Sequence, residues 1–184
     1  MNSGGLKIDK SWTLFLDRDG VINTRIVGGY VKVWEEFSFI KGVEESVALF
    51  TKHFGRIIVV SNQQGVGKGL MSAREVEQIH DTMKKEIDST GGKIDAVYFC
   101  PALESDHSLM RKPNIGMALK ARKDFPGIRF RQSVMAGDSV SDMVFGKRLG
   151  MKTIFIGTDQ KLIAQHPRLI DHAYPNLISF ASIL

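Results

Sequence analysis

Two aspartates separated by one residue stand directly after a short apolar run near the start of the chain. The apolar run covers residues 12–16, and Asp17-Arg18-Asp19-Gly20 follows it. In an extended strand, residues i and i+2 point to the same side, so both carboxylates can reach one point at the end of the strand. Such a pair can hold a hard cation, attack an electrophile or move a proton. A polar turn is the alternative, because Asp and Gly are common in turns.

Three further groups of polar residues occur at the ends of predicted elements. Ser61-Asn62-Gln63-Gln64 and the segment from Gly137 to Asp142 follow predicted strands, whereas Arg111-Lys112-Pro113 opens a predicted helix. In a parallel sheet these positions lie on one edge, where such sheets bind their ligands. The sequence therefore predicts a site that brings together carboxylates, a hydroxyl group and an ammonium group.

The elements that must position these groups can be predicted from the alternation of apolar runs with helical patterns. Strands are predicted at residues 12–16, 57–60, 96–99, 133–136 and 153–156, with a weaker one at 172–174. Helices are predicted at residues 43–53, 72–89, 114–123, 142–149, 160–166 and 177–184. This order favours a doubly wound α/β fold, whose mainly parallel sheet has helices on both faces. Residues 1–184 contain no evident linker or repeat, so we expect a single domain without a large cap.

The irregular stretch between Gly20 and Lys41 leaves two interpretations open. It contains the pair Gly28-Gly29 and the aromatic residues Tyr30, Trp34, Phe37 and Phe39. It could be a surface loop held on the core by its aromatic side chains. It could also face the substrate, because a loop of this length in a compact domain is often functional.

Composition limits the partners that we expect. Of the 184 residues, 43% are hydrophobic and 24% are charged, as in globular proteins. The net charge of +5 favours anionic ligands, but the basic residues are scattered, so we expect neither a nucleic-acid nor a membrane partner. The single cysteine, Cys100, excludes an intrachain disulfide and fits a reducing compartment. We therefore expect a cytoplasmic protein and, although the sequence leaves the oligomeric state open, a monomer.

The ordered set of motifs resembles that of the haloacid dehalogenase-like phosphohydrolases. Asp17-Arg18-Asp19-Gly20-Val21 resembles the first motif of this superfamily, D-x-D-G-[TV], and Ser61 resembles the Ser/Thr of the second motif. Lys112 resembles the lysine of the third motif, and Gly137-Asp138 with Asp142 resembles the fourth, G-D-x-x-x-D. The match extends over nearly the whole chain, and the order of the motifs makes it specific.

The resemblance implies hydrolysis of a phosphomonoester through an aspartyl-phosphate. It implies that Asp17 is the nucleophile and that Asp19 protonates the leaving oxygen and then deprotonates the attacking water. It also implies that Ser61 donates a hydrogen bond to the phosphoryl group and that Lys112 offsets its negative charge.

The resemblance also implies a Mg²⁺ cofactor. The implied ligands are Asp17, the backbone carbonyl group of Asp19, and Asp138, an oxygen-only set that suits this ion. Asp142 either contacts the metal through water or holds Lys112 in place.

Within the superfamily, the chain resembles the D-glycero-D-manno-heptose 1,7-bisphosphate phosphatases and the histidinol-phosphate phosphatases. Matching segments lie at residues 15–23, 29–31, 37–43, 62–66 and 111–113. This branch implies a small phosphorylated metabolite, with heptose bisphosphate expected first and histidinol phosphate as the alternative. A catalytically silent phosphate-binding or interaction protein is a third hypothesis. In an open site, the substrate-binding candidates are Asn62, Gln63 and Arg111, with Gly28, Gly29 and Lys68 as weaker ones.

One element of this branch is missing from the chain. Many members bind zinc through Cys-x-His and Cys-x-Cys just before the R-K-P element. Here Cys100 remains, but Ala102 takes the place of the histidine, and Ser108 and Met110 take the places of the later cysteines. A closed structural zinc site needs four ligands, so no structural zinc is expected. The loop at residues 101–110 must then be held by packing or be mobile.

Overall fold

The computed structural model describes residues 7–184, and six strands form its central sheet. The strands are β1 (Thr13–Leu16), β2 (Arg56–Asn62), β3 (Ala96–Cys100), β4 (Ser133–Gly137), β5 (Lys152–Ile156) and β6 (His172–Tyr174). Their order across the sheet is β3-β2-β1-β4-β5-β6, and each neighbouring pair is parallel. The predicted α/β fold with a parallel sheet is confirmed.

Six α-helices connect or follow these strands. They are α1 (Val43–His53), α2 (Ala73–Ser89), α3 (Gly116–Asp124), α4 (Val140–Arg148), α5 (Gln160–Gln165) and α6 (Leu177–Ala181). Short 3₁₀ turns lie at Trp34–Glu36, Glu104–Asp106 and Phe130–Gln132. Among residues 7–184, none of these helices combines the length and the apolar character that crossing a membrane requires. The predicted single domain includes residues 1–6, outside the described range, and stays a prediction.

Local polar contacts explain where the helices begin. The predicted capping box of α2 is present, because Ser72 accepts from the backbone N–H of Glu75 and the Glu75 carboxylate accepts from that of Ser72. A second capping box joins Ser139 to Asp142, so α4 begins at Val140, two residues earlier than predicted. Helix α3 begins two residues later than predicted, because Asn114 is in a turn closed by its N–H to the Arg111 carbonyl oxygen.

The alternation of side chains along the strands divides the core into two layers. Leu14, Leu16 and Val59 face one cluster, which also contains apolar residues of α1, α2 and α6. Phe15 and Ile58 face the other cluster, with apolar residues of α3 and α4. Because neighbouring residues of a strand point to opposite faces, each strand contributes to both layers. All of these side chains are buried.

The strand register brings the predicted motifs to one edge of the sheet. Leu16 at the end of β1 lies opposite Val59 of β2 and Ala136 of β4. The N–H of Asp17 donates to the carbonyl oxygen of Ala136 at 3.0 Å, which continues the ladder by one residue. Strand β2 extends beyond the predicted residues 57–60 to Asn62, because Ser61 and Asn62 pair with β3. The motifs therefore meet at the carboxyl ends of three adjacent strands.

Candidate active site

A buried ammonium group joins two buried carboxylates at this edge. Lys112 Nζ lies 2.8 Å from Asp17 Oδ1 and 2.6 Å from Asp142 Oδ1, and all three side chains are buried. Asp17 follows β1, Lys112 lies between β3 and α3, and Asp142 is in the first turn of α4. Burial acts to lower the pKa of Lys112, but the Asp142 and Asp17 carboxylates outweigh it and raise this pKa, so the ammonium group stays charged.

Asp17 is in an environment that opposes its ionisation. Burial, followed by repulsion from the Asp142 carboxylate, raises the pKa of Asp17 to about 7, although Lys112 acts in the opposite direction. The backbone N–H of Arg18 also donates to Asp17 Oδ1 at 2.7 Å. A positive charge placed near this carboxylate would restore its charged form.

Asp138 lies across the edge from Asp17 and meets an arginine from the loop after the first motif. Arg25 Nη2 donates to Asp138 Oδ1 at 2.8 Å and to the backbone carbonyl oxygen of Asp19 at 3.0 Å. Burial raises the pKa of Asp138 to about 6, and Arg25 only partly offsets this effect. These contacts show that the Asp138 carboxylate and the Asp19 carbonyl group converge on one point.

The oxygen atoms at this edge fit a Mg²⁺ ion. Carboxylate oxygens of Asp17, Asp138 and Asp142 lie within 4.8 Å of one another, and the carbonyl oxygen of Asp19 adjoins them. Mg²⁺ prefers oxygen ligands from a few carboxylates, completed by water and phosphate. One carboxylate oxygen of Asp142 is paired with the ammonium group of Lys112, and the other accepts hydrogen bonds from the backbone N–H and the hydroxyl group of Ser139. This arrangement favours Asp142 as the residue that positions Lys112.

Asp19 has a different set of partners from Asp17. Arg18 Nη2 lies 2.8 and 2.9 Å from its two oxygens, Gln63 Nε2 donates to Oδ2 at 2.7 Å, and Asn23 Nδ2 donates to Oδ1 at 3.0 Å. Burial acts to raise the pKa of Asp19, but the charge and hydrogen bond of Arg18, with the other donors, lower it overall. Asp19 is therefore held as a carboxylate.

Behind Asp19, a histidine from α2 supports the buried Arg18 guanidinium. His80 Nε2 lies 3.1 Å from Arg18 Nη1, and neither side chain is exposed to more than a trace of solvent. Burial, together with the charge of Arg18, lowers the pKa of His80 to about 3. The imidazole is therefore neutral, and Nε2 accepts a hydrogen bond from the guanidinium.

Sequence reasoning missed Arg18, Arg25 and His80 as members of the site. Arg18 occupies the variable position between the two aspartates, so a charged residue there was the one signal that could have indicated a role. His80 is a single polar residue on a helix, and Arg25 lies outside every motif. Their contacts depend on α2 packing against the sheet and on the loop folding back, which the local sequence does not specify.

The remaining predicted residues lie around the same cavity, but their side chains make different hydrogen bonds. Asn62 is paired with the backbone of Lys112 in both directions, each at 3.0 Å, so it clamps the third motif. Gln63 Nε2 donates to Ser61 Oγ at 2.8 Å as well as to Asp19. Arg111 Nη2 lies 3.4 Å from Gln64 Oε1 at the edge of the cavity. The side-chain amides of Asn62 and Gln63 are thus already hydrogen-bonded to other groups of the protein.

The cavity has a volume of about 450 Å³ and brings together residues from every predicted motif. Its floor contains the predicted catalytic residues Asp17, Asp19, Ser61 and Lys112, and the predicted binding residues Asn62, Gln63 and Arg111 also line it. Its wall includes Arg25, Tyr30 and Lys68, with Lys68 Nζ 5.4 Å from the centre of the Tyr30 ring.

Both interpretations of the stretch between Gly20 and Lys41 apply, each to a different half. The first half supplies Arg25, Gly28, Gly29 and Tyr30 to the cavity wall. In the second half, Trp34 stacks on Phe37, Phe39 meets both rings edge to face, and all three pack against the core. The aromatic half therefore anchors the half that faces the cavity.

The loop at residues 101–110 is held by hydrogen bonds and packing. The carbonyl oxygen of Pro101 accepts from Gly67 N–H at 3.0 Å, and that of Ser108 accepts from Asn114 Nδ2 at 3.0 Å. Cys100 is buried, with its Sγ 3.9 Å from Ser108 Oγ. Ala102 and Met110 pack against the core. The expectation that the chain binds no structural zinc stays a prediction.

Comparisons of the sequence agree with this geometry. The HAD-hydrolase-like family model matches residues 109–178. The D-glycero-alpha-D-manno-heptose-1,7-bisphosphate 7-phosphatase of Mycobacterium bovis is 41% identical over 132 residues, which cover 72% of this chain and 70% of the relative. The D-glycero-D-manno-heptose-1,7-bisphosphate 7-phosphatase of Chlorobaculum tepidum is 32% identical, and the match covers 92% of both chains.

Solved structures resemble the fold over most of the chain. The D,D-heptose 1,7-bisphosphate phosphatase of B. bronchiseptica, crystallised with magnesium and phosphate, superimposes with a TM-score of 0.83 at 26% identity. That match covers 92% of this chain and 96% of the neighbour. The corresponding phosphatase of Burkholderia thailandensis gives a TM-score of 0.66 at 25% identity, with the same coverage. Together with the site, these similarities show that the chain belongs to the haloacid dehalogenase-like phosphatases, in the family of the heptose-bisphosphate phosphatases.

Proposed function

We propose that the protein removes the 7-phosphate from D-glycero-D-manno-heptose 1,7-bisphosphate by Mg²⁺-dependent hydrolysis through an aspartyl-phosphate. The arrangement of Asp17 carries this proposal, because it is a buried carboxylate at the floor of a cavity, paired with Lys112 and next to Asp138. The relatives named above, which act as heptose-bisphosphate phosphatases, support this choice of substrate.

In the first step, Asp17 attacks phosphorus. The contacts found for this carboxylate among residues 7–184 are made by Oδ1, with Lys112 and with the N–H of Arg18, so Oδ2 is the atom that we assign as the nucleophile. Lys112 and Ser61 then hold the oxygens of the phosphoryl group. Catalysis of phosphoryl transfer depends mainly on such positioning and on stabilisation of charge.

Asp19 transfers the protons in both steps. Its lowered pKa keeps it ionised, so it is available in the second step to take a proton from the water that attacks the aspartyl-phosphate. In the first step it protonates the leaving sugar oxygen, and the negative charge of the bound phosphate would raise its pKa and favour the protonated form that this step needs. Its partners Arg18, Gln63 and Asn23 fix the position of the carboxylate for both transfers.

For the cofactor, we assign Asp17, the carbonyl oxygen of Asp19, and Asp138 as the Mg²⁺ ligands. When bound there, Mg²⁺ supplies a Lewis acid that offsets the repulsion between the carboxylates and the phosphate. The neighbour that was crystallised with magnesium and phosphate supports this assignment. Asp142 holds Lys112 and does not bind the ion directly in this proposal.

The cations around the cavity favour a bisphosphate over histidinol phosphate. Arg25, Lys68 and Arg111 lie on its wall and suit a second phosphate group. Histidinol phosphate instead carries an ammonium group, which these cations would repel.

A silent binding protein would not need the complete set of Asp17, Asp19 and Lys112. We also infer a cytoplasmic location, which the single buried cysteine supports, while the monomeric state stays a prediction.

The test is phosphate release with and without Mg²⁺ from both anomers of the heptose 1,7-bisphosphate, histidinol phosphate, a 3′-phosphorylated oligonucleotide and an aryl phosphate. We expect release from a heptose bisphosphate, loss of at least about 10⁴-fold in Asp17→Asn, and no change in the exposed control Asp88→Asn. Release from histidinol phosphate alone would overturn the choice of substrate. No release from any compound would favour the silent binding protein.

A further inference from the structure

The guanidinium group of Arg25 contacts two oxygen atoms that we assign as ligands of the metal. Its Nη2 donates to Asp138 Oδ1 at 2.8 Å and to the carbonyl oxygen of Asp19 at 3.0 Å. Mg²⁺ binds oxygen at about 2.0–2.1 Å, so an ion bound to both atoms would lie between them and this nitrogen, too close to the guanidinium group for both cations to stay. The ion and the guanidinium group therefore cannot occupy this position together.

The chain folds so that Arg25 returns over the first motif. Gly20 has a φ angle of +91°, and its N–H donates to the carbonyl oxygen of Asn23 at 2.7 Å, which turns the chain back at once. A Cβ atom at Gly20 would lie 1.9 Å from Asp138 Oδ2, so only glycine allows this carboxylate to come so close. Asp138 and Arg25 therefore meet beside the space that the missing side chain of Gly20 leaves open.

The charges around the site explain why a second cation is held there. The carboxylates of Asp17, Asp138 and Asp142 lie close together, and one buried ammonium group, that of Lys112, contacts two of them, Asp17 and Asp142. The guanidinium group of Arg25 reduces the remaining negative charge, and a divalent ion in its place would balance it. The side chain of Arg25 is 51% exposed, so the guanidinium group can turn into solvent when a stronger cation arrives.

We propose that Arg25 is a built-in competitor of Mg²⁺, which occupies the Asp138 and Asp19 oxygens and is displaced when the ion binds. The proposal rests on the function proposed above, because it uses the same metal ligands. Since the competing ion pair is half-exposed, its loss should strengthen Mg²⁺ binding by about fivefold. Binding of the ion and the contacts of Arg25 with the same oxygens are then coupled, so each weakens the other by the same factor.

The test is isothermal titration calorimetry with Mg²⁺ alone, at fixed ionic strength, on wild type, Arg25→Met and Lys68→Met. Lys68 is the matched control, because it removes one positive charge from the same cavity without a contact to a metal ligand. We expect Arg25→Met to bind Mg²⁺ about fivefold more tightly than wild type, and Lys68→Met to change the affinity by less than about twofold. Thermal melting followed by circular dichroism confirms that both variants are folded.

A second measurement observes the arginine directly. In ¹H–¹⁵N spectra of wild type, the Nε–H signal that is missing in Arg25→Met should shift in proportion to Mg²⁺ occupancy. Equal affinities for wild type and Arg25→Met, weaker binding by Arg25→Met, or equal tightening in both variants would overturn the proposal while leaving the metal site in place. Absence of Mg²⁺ binding in all three proteins would overturn the metal ligands and this proposal together.

Discussion

Asp17 and Asp19 stand two residues apart in the chain, but their environments change their acidity in opposite directions. Burial and the Asp142 carboxylate raise the pKa of Asp17 to about 7. Burial also acts to raise the pKa of Asp19, but Arg18 and the amides of Gln63 and Asn23 lower it overall. Two identical side chains in one motif thus acquire different chemistry from the groups packed around them.

The difference arises from the two faces of the sheet. Asp17 points to the same face of the sheet as Phe15, two residues earlier, and contacts Lys112 and Asp142 on the side of α3 and α4. Arg18 points to the opposite face, the same face as Leu16, where its guanidinium group contacts His80 of α2. The same guanidinium group also donates to the Asp19 carboxylate. Asp17 and Asp19, the proposed nucleophile and proton carrier, are therefore supported by opposite layers of the fold, and each support can be removed separately.

Among the supporting residues, the largest effect is expected from Lys112→Met, which removes the support of Asp17. Two buried carboxylates would then face each other without a cation, so we expect a loss of about 3–5 kcal/mol in the free energy of unfolding. The loss of a charge at the phosphoryl group should lower kcat by about 10²–10³-fold. Urea denaturation and steady-state kinetics measure the two effects. Adding Asp142→Asn should restore part of the stability but not kcat, and recovery of kcat would contradict the assigned role of Lys112.

A smaller effect is expected from Arg18→Met, which removes the support of Asp19. The Asp19 carboxylate would lose its charged partner but keep Gln63 and Asn23, so we expect kcat to fall by about 10²-fold, at the lower end of acid–base effects. The pKa of Asp19 should rise, which moves the acidic limb of the kcat profile to higher pH. An unchanged pH profile with reduced stability would mean that Arg18 has only a structural role.

The smallest effect concerns His80, the residue that supports Arg18, and its contribution to the free energy of unfolding at acidic pH. His80 has a pKa of about 3 in the folded protein but about 6.5 when exposed, so between these values the unfolded chain binds the extra proton. The free energy of unfolding should therefore decrease as the pH falls, by about 2 kcal/mol between pH 7 and pH 5.

His80→Gln is the variant that isolates this contribution. The glutamine can still accept a hydrogen bond from Arg18 but does not titrate, so the difference between wild type and variant cancels the other groups. Denaturation curves measured at several pH values should show the two proteins converging towards acidic pH. A difference that is constant with pH would contradict the assignment of His80 as buried and neutral.

Much of the fold could be predicted from local patterns. Within residues 7–184, the apolar runs and helical periodicity identified all six strands and all six helices, and Ser72 and Glu75 marked the start of α2. The boundaries were less accurate where polar residues continue a strand, as Ser61 and Asn62 do in β2. These residues are polar because of the site, and they belong to the strand because β3 pairs with them.

By itself, the sequence determined that the four motifs meet at one edge of the sheet, because motifs at the carboxyl ends of neighbouring parallel strands must lie at one edge. The tertiary structure alone decided what each of them contacts. The pairing of Lys112 with two carboxylates, the support of Arg18 by His80, and the position of Arg25 over Asp138 join segments far apart in the chain. The physical reason is that burial and neighbouring charges set the chemistry of an ionisable group, and both arise only when distant segments pack together.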